Sequence, residues 1–377
     1  MNNMQKKVLL VATVQSHIGQ FHKPLMQLLK EHGWEIHVAA RDNLAEKNGL
    51  QLEYPDKVFN IPFQRSPFDR RNIVAYKQLK EVLAENHYDI IHCNTPVGGI
   101  LGRLAGNKYR KTGTQVYYTA HGFHFYKGAP KQNWLIYYPI EKWMAKYTDK
   151  LITITEEDFQ RASQRFKCTT CRMHGVGVDE GRYYPVDDAE KQSLKVGQGF
   201  SGPILLNVGE LLPNKNQKMA ISAMKKIIEQ IPDATLLIAG NGSEKDNLET
   251  YVNEQGLEDH VRLIGYCTHL EDYQRMSDVL LACSYREGLP LNLVESMLSD
   301  TIVVATKNRG HRELVDDGVT GYLVDLNNAE QMAEKAISIL QAHTKADQMK
   351  QAAHEKGLLY GFKSVTKELK EIYGLTD

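Results

Sequence analysis

The sequence predicts an α/β protein made of two doubly wound, Rossmann-like domains that face each other across a cleft. Short apolar runs alternate with helical patterns, which is typical of parallel sheets covered by helices on both faces. The alternation starts near the N-terminus, weakens after residue 180 and begins again after residue 203. A chain of 377 residues is also long enough to form two domains with separate cores.

The first predicted domain spans residues 1–180. A helix over Gln20–Glu31 is expected after the first strand, with Gly33 as its stop signal. The first apolar run is too short to span a membrane, and the residues before it are polar, so we expect a cytoplasmic protein without a signal peptide. The predicted strands are Val8–Val14, Trp34–Ala40, Asp89–Cys93, Gln115–Ala120 and Lys150–Thr155.

The second predicted domain spans residues 203–357, and residues 181–202 are expected to form a linker because they lack strong periodicity. Helices are predicted over Gln217–Gln230 and Glu244–Gln255. A last helix, within residues 358–377, is expected to cross back to the first domain. The predicted strands are Ile204–Val208, Thr235–Ala239, Val261–Gly265, Val279–Cys283 and Ile302–Ala305.

Composition excludes several classes of protein. Lys plus Arg and Asp plus Glu each number 46, and this balance argues against a nucleic-acid-binding protein. Five cysteines are few and odd in number, which favours a reducing compartment. Cys168 and Cys171 form one C-x-x-C pair without a second pair at zinc spacing, so no metal site is predicted. The glycine fingerprint of nicotinamide dehydrogenases is missing after the first strand.

Two loops of the first domain carry candidate functional residues, because ligands of doubly wound folds bind at the carboxyl ends of strands. Gly19, in the predicted loop Thr13–Gln20, either lets the backbone approach an anion or belongs to a plain tight turn. His121 directly follows a predicted strand. It either binds a sugar hydroxyl and moves a proton, or is hydrogen-bonded within the fold.

Two loops of the second domain have the same position. The ammonium of Lys215, next to Asn214, would meet a diphosphate and stabilise it as a leaving group, or would be an ordinary solvated lysine. The stretch Gly240-Asn241-Gly242 would let the backbone approach a ligand. A helix cap at Ser243 is compatible with that function.

The most specific motif follows the strand Val279–Cys283. Pro290 suits the first turn of a helix, so the amides near Leu291 and Asn292 would face an anion. Carboxylates beside such a site suit sugar and ribose hydroxyls, which they bind by charge-assisted hydrogen bonds. The alternative is a pair of acids that favour the helix dipole or simply face solvent. The motif consists of Glu287, Gly288, Leu289, Pro290, Leu291, Asn292 and Glu295.

Taken in order, these motifs resemble the retaining glycosyltransferases of family 4, which have the GT-B fold. The pair Glu287-x7-Glu295 is similar to the family signature, and the other motifs have the family's order and spacing. Further similarity lies in Asn308–Val315 with Gly321–Val324, where the family has its closing motif. Four stretches resemble the bacterial capsular and exopolysaccharide subgroup: Gln20–His22, His92–Pro96, Ala120–Phe125 and Asn133–Lys142.

The resemblance implies transfer of a hexosyl or N-acetylhexosaminyl group from a nucleotide sugar, expected to be UDP-linked, with retention and without metal or cofactor. His121 would contact the sugars near the reacting carbon, and Lys215 would neutralise the leaving diphosphate. Glu287 would hold the donor hexose, with catalysis resting on these three residues. Glu295 would hold the ribose. The implied donor site comprises Gly19, Asn214, Lys215, Gly240, Asn241, Gly242, Glu287, Gly288, Leu289, Pro290, Leu291, Asn292 and Glu295.

One position departs from the family pattern. Many members have an arginine where this chain has Glu210, so either Lys215 acts alone or another cation, such as Arg286 or Arg309, reaches the phosphates. Nucleotide-sugar 2-epimerases have the same architecture and are the alternative function. A non-enzymatic sugar-binding protein would normally carry a secretion signal, which the sequence does not predict.

An aromatic, basic stretch points to the acceptor. Ten of the 31 residues from Tyr117 to Tyr147 are aromatic, and lysines accompany them. Such composition suits a membrane interface, and the resemblance implies a lipid-linked saccharide acceptor at the inner face of an anionic membrane. The rival interpretation is a helix packed within the first domain or against a partner subunit. The expected acceptor or membrane side comprises Phe123, Tyr126, Lys127, Lys131 and Trp134, and the stripe continues with Tyr137, Ile140, Met144 and Tyr147.

Overall fold

A computed structural model of the chain describes residues 5–47 and 49–376, which form thirteen strands and fifteen α-helices. The strands are β1 (Lys7–Val14), β2 (Glu35–Arg41), β3 (Lys57–Asn60), β4 (Ile90–Asn94), β5 (Gln115–Ala120), β6 (Lys150–Thr153), β7 (Thr169–Arg172), β8 (Ile204–Val208), β9 (Thr235–Ala239), β10 (Val261–Gly265), β11 (Val279–Ala282), β12 (Ile302–Thr306) and β13 (Gly321–Val324). The helices are α1 (Gln15–Phe21), α2 (Lys23–Glu31), α3 (Arg71–Glu85), α4 (Pro96–Gly106), α5 (Lys131–Met144), α6 (Glu156–Arg165), α7 (Asp188–Gly197), α8 (Gln217–Gln230), α9 (Lys245–Gln255), α10 (Leu270–Met276), α11 (Leu291–Leu298), α12 (Arg309–Leu314), α13 (Ala329–Gln341), α14 (His343–Leu358) and α15 (Phe362–Tyr373).

The strands form two sheets, and every strand pair in them is parallel. The strand order is β3-β2-β1-β4-β5-β6-β7 in the first sheet and β10-β9-β8-β11-β12-β13 in the second. Both orders reverse direction at a central pair of strands, as in doubly wound folds. The predicted fold class of two Rossmann-like α/β domains is therefore confirmed, while the cleft between them stays a prediction.

The chain divides into two compact units. One comprises the residues up to Gly177 together with those from Phe362 onward, and the other comprises Val178–Gly361. The last helix, α15, belongs to the first unit, where the Tyr373 hydroxyl lies 2.6 Å from His92 Nδ1.

The stretch 181–202, expected to be a linker, contains α7 and lies within the second unit. Asp187 caps this helix by accepting a hydrogen bond from the Glu190 amide at 2.8 Å. The helix is polar, and it is fixed to the unit by Lys195, whose ammonium lies 2.7 Å from Asp278 Oδ2. Helix α7 therefore lacks the apolar periodicity by which a helix is predicted from sequence.

The predicted single helix Gln20–Glu31 is two helices, α1 and α2, which meet at His22. Pro24 explains the break, because it has no amide hydrogen to donate to the preceding turn. Since α1 starts directly after β1, Gly19 lies inside a helix rather than in a loop. A β-carbon at Gly19 would lie 3.3 Å from the Leu50 side chain, so this glycine packs against the protein.

The topology fixes where ligands are expected. The strand order reverses between β1 and β4 in the first sheet and between β8 and β11 in the second. Ligands of doubly wound folds bind outside the carboxyl ends of the strands at such a switch point. In the second unit, these ends lead into the loops that carry Lys215 and Glu287.

Candidate active site

The loops after β8 and β11 bring Lys215 and Glu287 together. The side-chain amide of Asn214 donates to the Arg286 carbonyl at 3.0 Å, and the Tyr285 amide donates to the Asn214 carbonyl at 2.9 Å. These two bonds join the loops. The Lys215 ammonium then lies 2.7 Å from Glu287 Oε1, and both side chains are partly exposed. The cation and the carboxylate that were predicted for one site thus form an ion pair.

Helix α11 directs its N-terminus toward the same edge of the sheet. It begins at Leu291, directly after Pro290, and its first turn contains no acidic residue. The first amides of a helix lack partners within it and attract anions. The Asn292 side chain donates to the Val208 carbonyl at 3.0 Å, which holds the helix start against the end of β8. This side-chain contact was not predicted.

Glu295 lies inside α11 and has an unusual carboxyl group. Burial raises its pKa to about 7, and the neighbouring Glu271 carboxylate adds to the rise while Arg182 opposes it. Arg182 is engaged with Glu271 at 2.7 Å. Within residues 5–47 and 49–376, no hydrogen bond or ion pair reaches the Glu295 carboxyl. It therefore has acceptor capacity for the hydroxyl groups of a ligand.

The predicted donor-site glycines let two loops touch each other. Gly240 has φ of 146°, and a β-carbon there would collide with the Gly209 carbonyl. A β-carbon at Gly242 would collide with the Leu211 carbonyl. Between them, the Asn241 carbonyl accepts a hydrogen bond from the Leu211 amide at 2.9 Å. The three residues shape the loop after β8 that leads to Lys215.

Helix α12 packs against the loop that contains Glu287. A β-carbon at Gly310 would lie 2.6 Å from the Gly288 carbonyl oxygen and 2.8 Å from the β-carbon of Glu287. The next residue, His311, is buried, and burial lowers its pKa to about 4. The sequence showed this segment only as a family motif, since its role depends on a contact between distant loops.

The structure places the three residues named for the departure from the family pattern. Glu210 is exposed, whereas Arg309 is buried at the start of α12. Because the adjacent Gly310 packs against Gly288 and Glu287, Arg309 is next in sequence to a residue that contacts the loop after β11. Arg286 is exposed.

In the first unit, His121 belongs to a histidine cluster. It follows β5, and its Nε2 lies 3.1 Å from Nε2 of His17 in α1. The ring centroid of His22 lies 5.6 Å from those of both other rings. Burial lowers the pKa of His121 to about 4 and, together with repulsion from His121, lowers the pKa of His17 and His22. All three rings are therefore neutral near pH 7. Sequence reasoning singled out only His121.

The predicted acceptor surface is divided between core and solvent. Phe123 is buried and stacks on Phe125 with ring centroids 4.6 Å apart, so it cannot belong to an exposed surface. Trp134 and Tyr126 are both half-buried, and the Arg161 guanidinium lies over the Trp134 ring. Met144, in the same predicted stripe, is buried as well. The solvent-exposed residues of this stretch include Lys127, Lys131, Leu135, Ile136, Tyr137, Ile140, Lys142, Trp143 and Lys146.

One face of α5 thus packs in the first unit, as the packed-helix interpretation expects, and the other face is exposed. The membrane interpretation of the exposed face stays a prediction. None of the helices in the described part of the chain combines the length and the apolar character that a membrane crossing requires.

Comparison with known families gives matches to glycosyltransferases in both units. Residues 7–155 match the family described as "Glycosyl transferase 4-like", and residues 189–356 match "Glycosyl transferases group 1". The Bacillus subtilis protein EpsD, which is named as a glycosyltransferase, is 41% identical over 374 residues, covering 98% of this chain and 97% of its own.

A second relative is the Escherichia coli UDP-Gal:alpha-D-GlcNAc-diphosphoundecaprenol alpha-1,3-galactosyltransferase. It is 28% identical over 282 residues, with 71% of this chain and 72% of its own covered. The crystal structure of Anabaena Alr3699/HepE in complex with UDP and glucose covers 99% of this chain and 100% of its own, with a TM-score of 0.77 and 19% identity. Sucrose-phosphate synthase from Thermosynechococcus elongatus gives a TM-score of 0.77 at 21% identity, with 98% of each chain covered. These likenesses show the fold.

Proposed function

The chain belongs to the family 4 glycosyltransferases with the GT-B fold, and from this we propose its reaction. It transfers a hexosyl or N-acetylhexosaminyl group from a UDP-sugar to a lipid-linked saccharide, and the configuration of the sugar is retained. The reaction belongs to the assembly of capsule or exopolysaccharide. The observation that carries the proposal is the Lys215–Glu287 ion pair at the switch point of the second sheet. Glycosyltransferase matches in both units favour transfer over the 2-epimerase alternative.

The donor diphosphate binds between Lys215 and the first amides of α11. Glu287 pairs with the Lys215 ammonium, and the diphosphate displaces the Glu287 carboxylate from Lys215 when the donor binds. The released Glu287 carboxylate accepts a hydroxyl of the donor sugar. The Glu295 carboxyl accepts the ribose hydroxyls. The E. coli relative is named for UDP-Gal, which supports uridine as the nucleotide.

The reaction replaces one glycosidic bond by another on the same face of the sugar. The acceptor hydroxyl oxygen forms a bond to the anomeric carbon as the bond from that carbon to the diphosphate breaks. The departing phosphate oxygen takes the acceptor proton, so neither a side-chain base nor a metal is needed. Lys215 and the α11 amides stabilise the negative charge that develops on the diphosphate, while His121 contacts the sugar as a neutral ring.

The acceptor approaches along α5 at the cytoplasmic face of the membrane, where the enzyme binds peripherally. Leu135, Ile136 and Trp143 are exposed apolar side chains on this helix. The only acidic residue of α5, Glu141, turns inward to Arg103 at 2.9 Å, so lysines supply the charge of the exposed face. The E. coli relative is named for a diphosphoundecaprenol-linked acceptor, which supports a lipid-linked substrate.

The test begins with donor binding by the full-length protein. UDP-, GDP- and ADP-sugars are compared by thermal shift, and a UDP-sugar is expected to raise the melting temperature most. Turnover with the best donor and a polyprenyl-diphosphate saccharide should persist with a chelator, and the anomeric configuration of the product is determined by NMR. The configuration should match that of the donor.

Lys215→Ala provides the residue-level test. It should lower kcat about 100-fold or more, because a charge-stabilising group is lost in the transition state. Lys218→Ala, which removes an exposed lysine three positions away, serves as the matched control. Unchanged turnover in the Lys215 variant would contradict the phosphate assignment. Acceptor-independent conversion of one UDP-sugar into its 2-epimer would instead identify the epimerase alternative.

A further inference from the structure

We propose that His17, His22 and His121 form a binding site for one Zn²⁺ ion in the first unit. One ring nitrogen from each histidine lies within 4.8 Å of the others. Around a tetrahedral zinc ion with bonds of about 2.0–2.1 Å, neighbouring nitrogens are about 3.4 Å apart. The two Nε2 atoms of His17 and His121 are already 3.1 Å apart, and the other separations in the set are within 4.8 Å, so the rings would have to move closer to His22 to form the coordination sphere.

The three ligands come from separate, well-fixed parts of the backbone. His17 lies in α1 at the end of β1, and His121 directly follows β5. His22 occupies the break between α1 and α2. Its amide donates to the Ile18 carbonyl at 3.0 Å, and its carbonyl accepts from the Met26 amide at 2.9 Å. Ligands held in this way lose little conformational freedom when a metal binds.

His22 gives a separate reason to expect a ligand. The residue is 3% exposed, and its Nε2 makes no hydrogen bond of normal geometry with the described residues, although the Asn94 side chain lies close enough to raise the pKa of His22 against the larger effect of burial. A buried polar atom without a partner is unfavourable and calls for a physical explanation. His92 packs against the His22 ring but is not a candidate ligand, because Tyr373 and Thr119 occupy its two nitrogens at 2.6 and 2.7 Å.

The donor set favours a transition metal. Three imidazoles without a carboxylate or thiolate suit zinc, copper, nickel or iron rather than Mg²⁺ or Ca²⁺, which prefer oxygen ligands. Three protein ligands also leave a fourth position for water. One consequence rests on the proposed function, in which His121 contacts the sugar. Zinc bound to His121 would prevent that contact and so inhibit turnover. The metal site itself does not depend on that function.

The test measures metal binding without any sugar. Full-length, untagged protein is stripped with a chelator and titrated with Zn²⁺ by calorimetry, and Co²⁺ serves as the spectroscopic probe. One ion per chain and visible bands of tetrahedral cobalt are expected. Loss of a single outer partner of a metal ligand already weakens metal sites about 10–100-fold, so His17→Ala and His22→Ala should each weaken binding by at least about 100-fold.

Controls separate this site from other donors. His87→Ala removes an exposed histidine of the same unit, and the double variant Cys168→Ser with Cys171→Ser removes the C-x-x-C thiols; both should bind as the wild type does. Circular dichroism verifies folding, and an alanine variant that fails to fold is replaced by the asparagine variant at the same position, His17→Asn or His22→Asn. Absence of stoichiometric binding, unchanged affinity in the His17 and His22 variants, or a thiolate-to-cobalt absorption band would overturn the proposal. Failure of the transferase proposal would appear in the donor experiments instead.

Discussion

In the proposed mechanism Glu287 has two partners in turn, and a substitution can separate them. Its carboxylate holds the Lys215 ammonium at 2.7 Å, in a pair that is partly exposed. Such pairs stabilise a fold by about 1 kcal/mol at most, so a diphosphate with more negative charge would displace the carboxylate. The ion pair would therefore keep Lys215 in position without preventing the proposed donor binding.

Glu287→Gln should leave UDP binding unchanged or tighter, because the competitor for Lys215 has been neutralised. Turnover with the UDP-sugar should fall about tenfold or more, since a charge-assisted bond to the sugar becomes a neutral one. Calorimetry with UDP and initial-rate assays measure the two effects, and Glu258→Gln, an exposed acid, is the control. A parallel loss of UDP affinity would mean that Glu287 binds the nucleotide instead.

The proposed ribose contact predicts that donor binding depends on the protonation of Glu295. Its carboxyl has a pKa of about 7 in the folded chain, so below pH 7 it is mostly protonated and would accept ribose hydroxyls poorly. Since the proposed contact favours the ionised form, affinity for an intact UDP-sugar should rise from pH 5.5 to about pH 7, by about tenfold per pH unit at most, and level off by pH 8. Calorimetry across this range tests the prediction. In Glu295→Gln the rise should disappear, and a persistent rise would assign it to another group.

The same pKa has a consequence for stability of opposite sign. The ordinary value is 4.5, so between pH 4.5 and about 7 the unfolded chain has released a proton that the folded chain retains. The contribution of Glu295 to stability is therefore highest below pH 4.5, decreases as pH rises, and levels off above pH 7. Acid conditions that favour folding at this residue thus oppose donor binding.

At the scale of elements, α5 has one face bound to the protein and another exposed. Glu141 accepts from the buried Arg103, whose guanidinium also stacks 3.8 Å from the Tyr118 ring centre. Removing one partner of a buried pair costs several kcal/mol, so this interaction fixes the orientation of the helix. On the opposite face Leu135 is 77% exposed and Trp143 is 47% exposed. The helix thus holds these side chains outward.

Substituting the outward face should weaken membrane binding without unfolding the protein. The variant Leu135→Ser with Trp143→Ser should float less with liposomes that contain anionic lipids, because apolar area that would enter the interface is lost. Raising the salt concentration should weaken flotation of the wild type, since the lysines contribute by charge. Ile73→Ser, at an exposed apolar position elsewhere in the same unit, is the control. Wild-type protein that does not float at low salt would contradict peripheral membrane binding.

Several elements have the limits that the sequence predicts, among them β5, β8, β9, β10 and helix α8. By contrast, β3, β7 and β13 were not predicted as strands. No position of β3 or β7 is buried, whereas β13 is buried throughout and its residues were named only as part of the family motif. Helix α7 was missed because its buried residue is Lys195, paired with Asp278, and its apolar contribution is the partly buried Leu194. A local apolar pattern indicates burial, and β3, β7 and α7 have few buried positions.

For the molecule as a whole, the order of the motifs was enough to predict the family and the fold. The geometry of the sites could not be predicted, because it depends on contacts between segments that are distant in sequence. Glu287 and Lys215 were each predicted, but their pairing depends on two loops that are 72 residues apart. The histidine cluster was missed except for His121, because it also needs a helix break at His22 and the neighbouring end of β1. Contacts between residues so far apart in sequence leave no periodic pattern in the sequence. They follow from the strand order, which brings the carboxyl ends of separate strands together.

Helix α15 makes the first unit depend on the end of the chain. Its buried Val365 and Leu369 pack in this unit, and the Tyr373 hydroxyl bonds to His92 in β4 at 2.6 Å. Tyr373→Phe would leave His92 Nδ1 without a partner in a buried position, at a cost of about 1–3 kcal/mol. Because the two units have separate sheets and cores, the loss should appear mainly in the first.

Hydrogen exchange of the full-length protein measures this, residue by residue. In Tyr373→Phe, protection should fall in β1 and β4 while β8 and β11 keep theirs. Tyr251→Phe is the matched control, since the Tyr251 hydroxyl bonds to Ser222 at 2.8 Å in the second unit and its loss should lower protection only there. If either variant lowered protection equally in both units, the two units would unfold as one cooperative body. Unchanged protection of β4 in Tyr373→Phe would mean that the Tyr373–His92 bond does not stabilise the first unit.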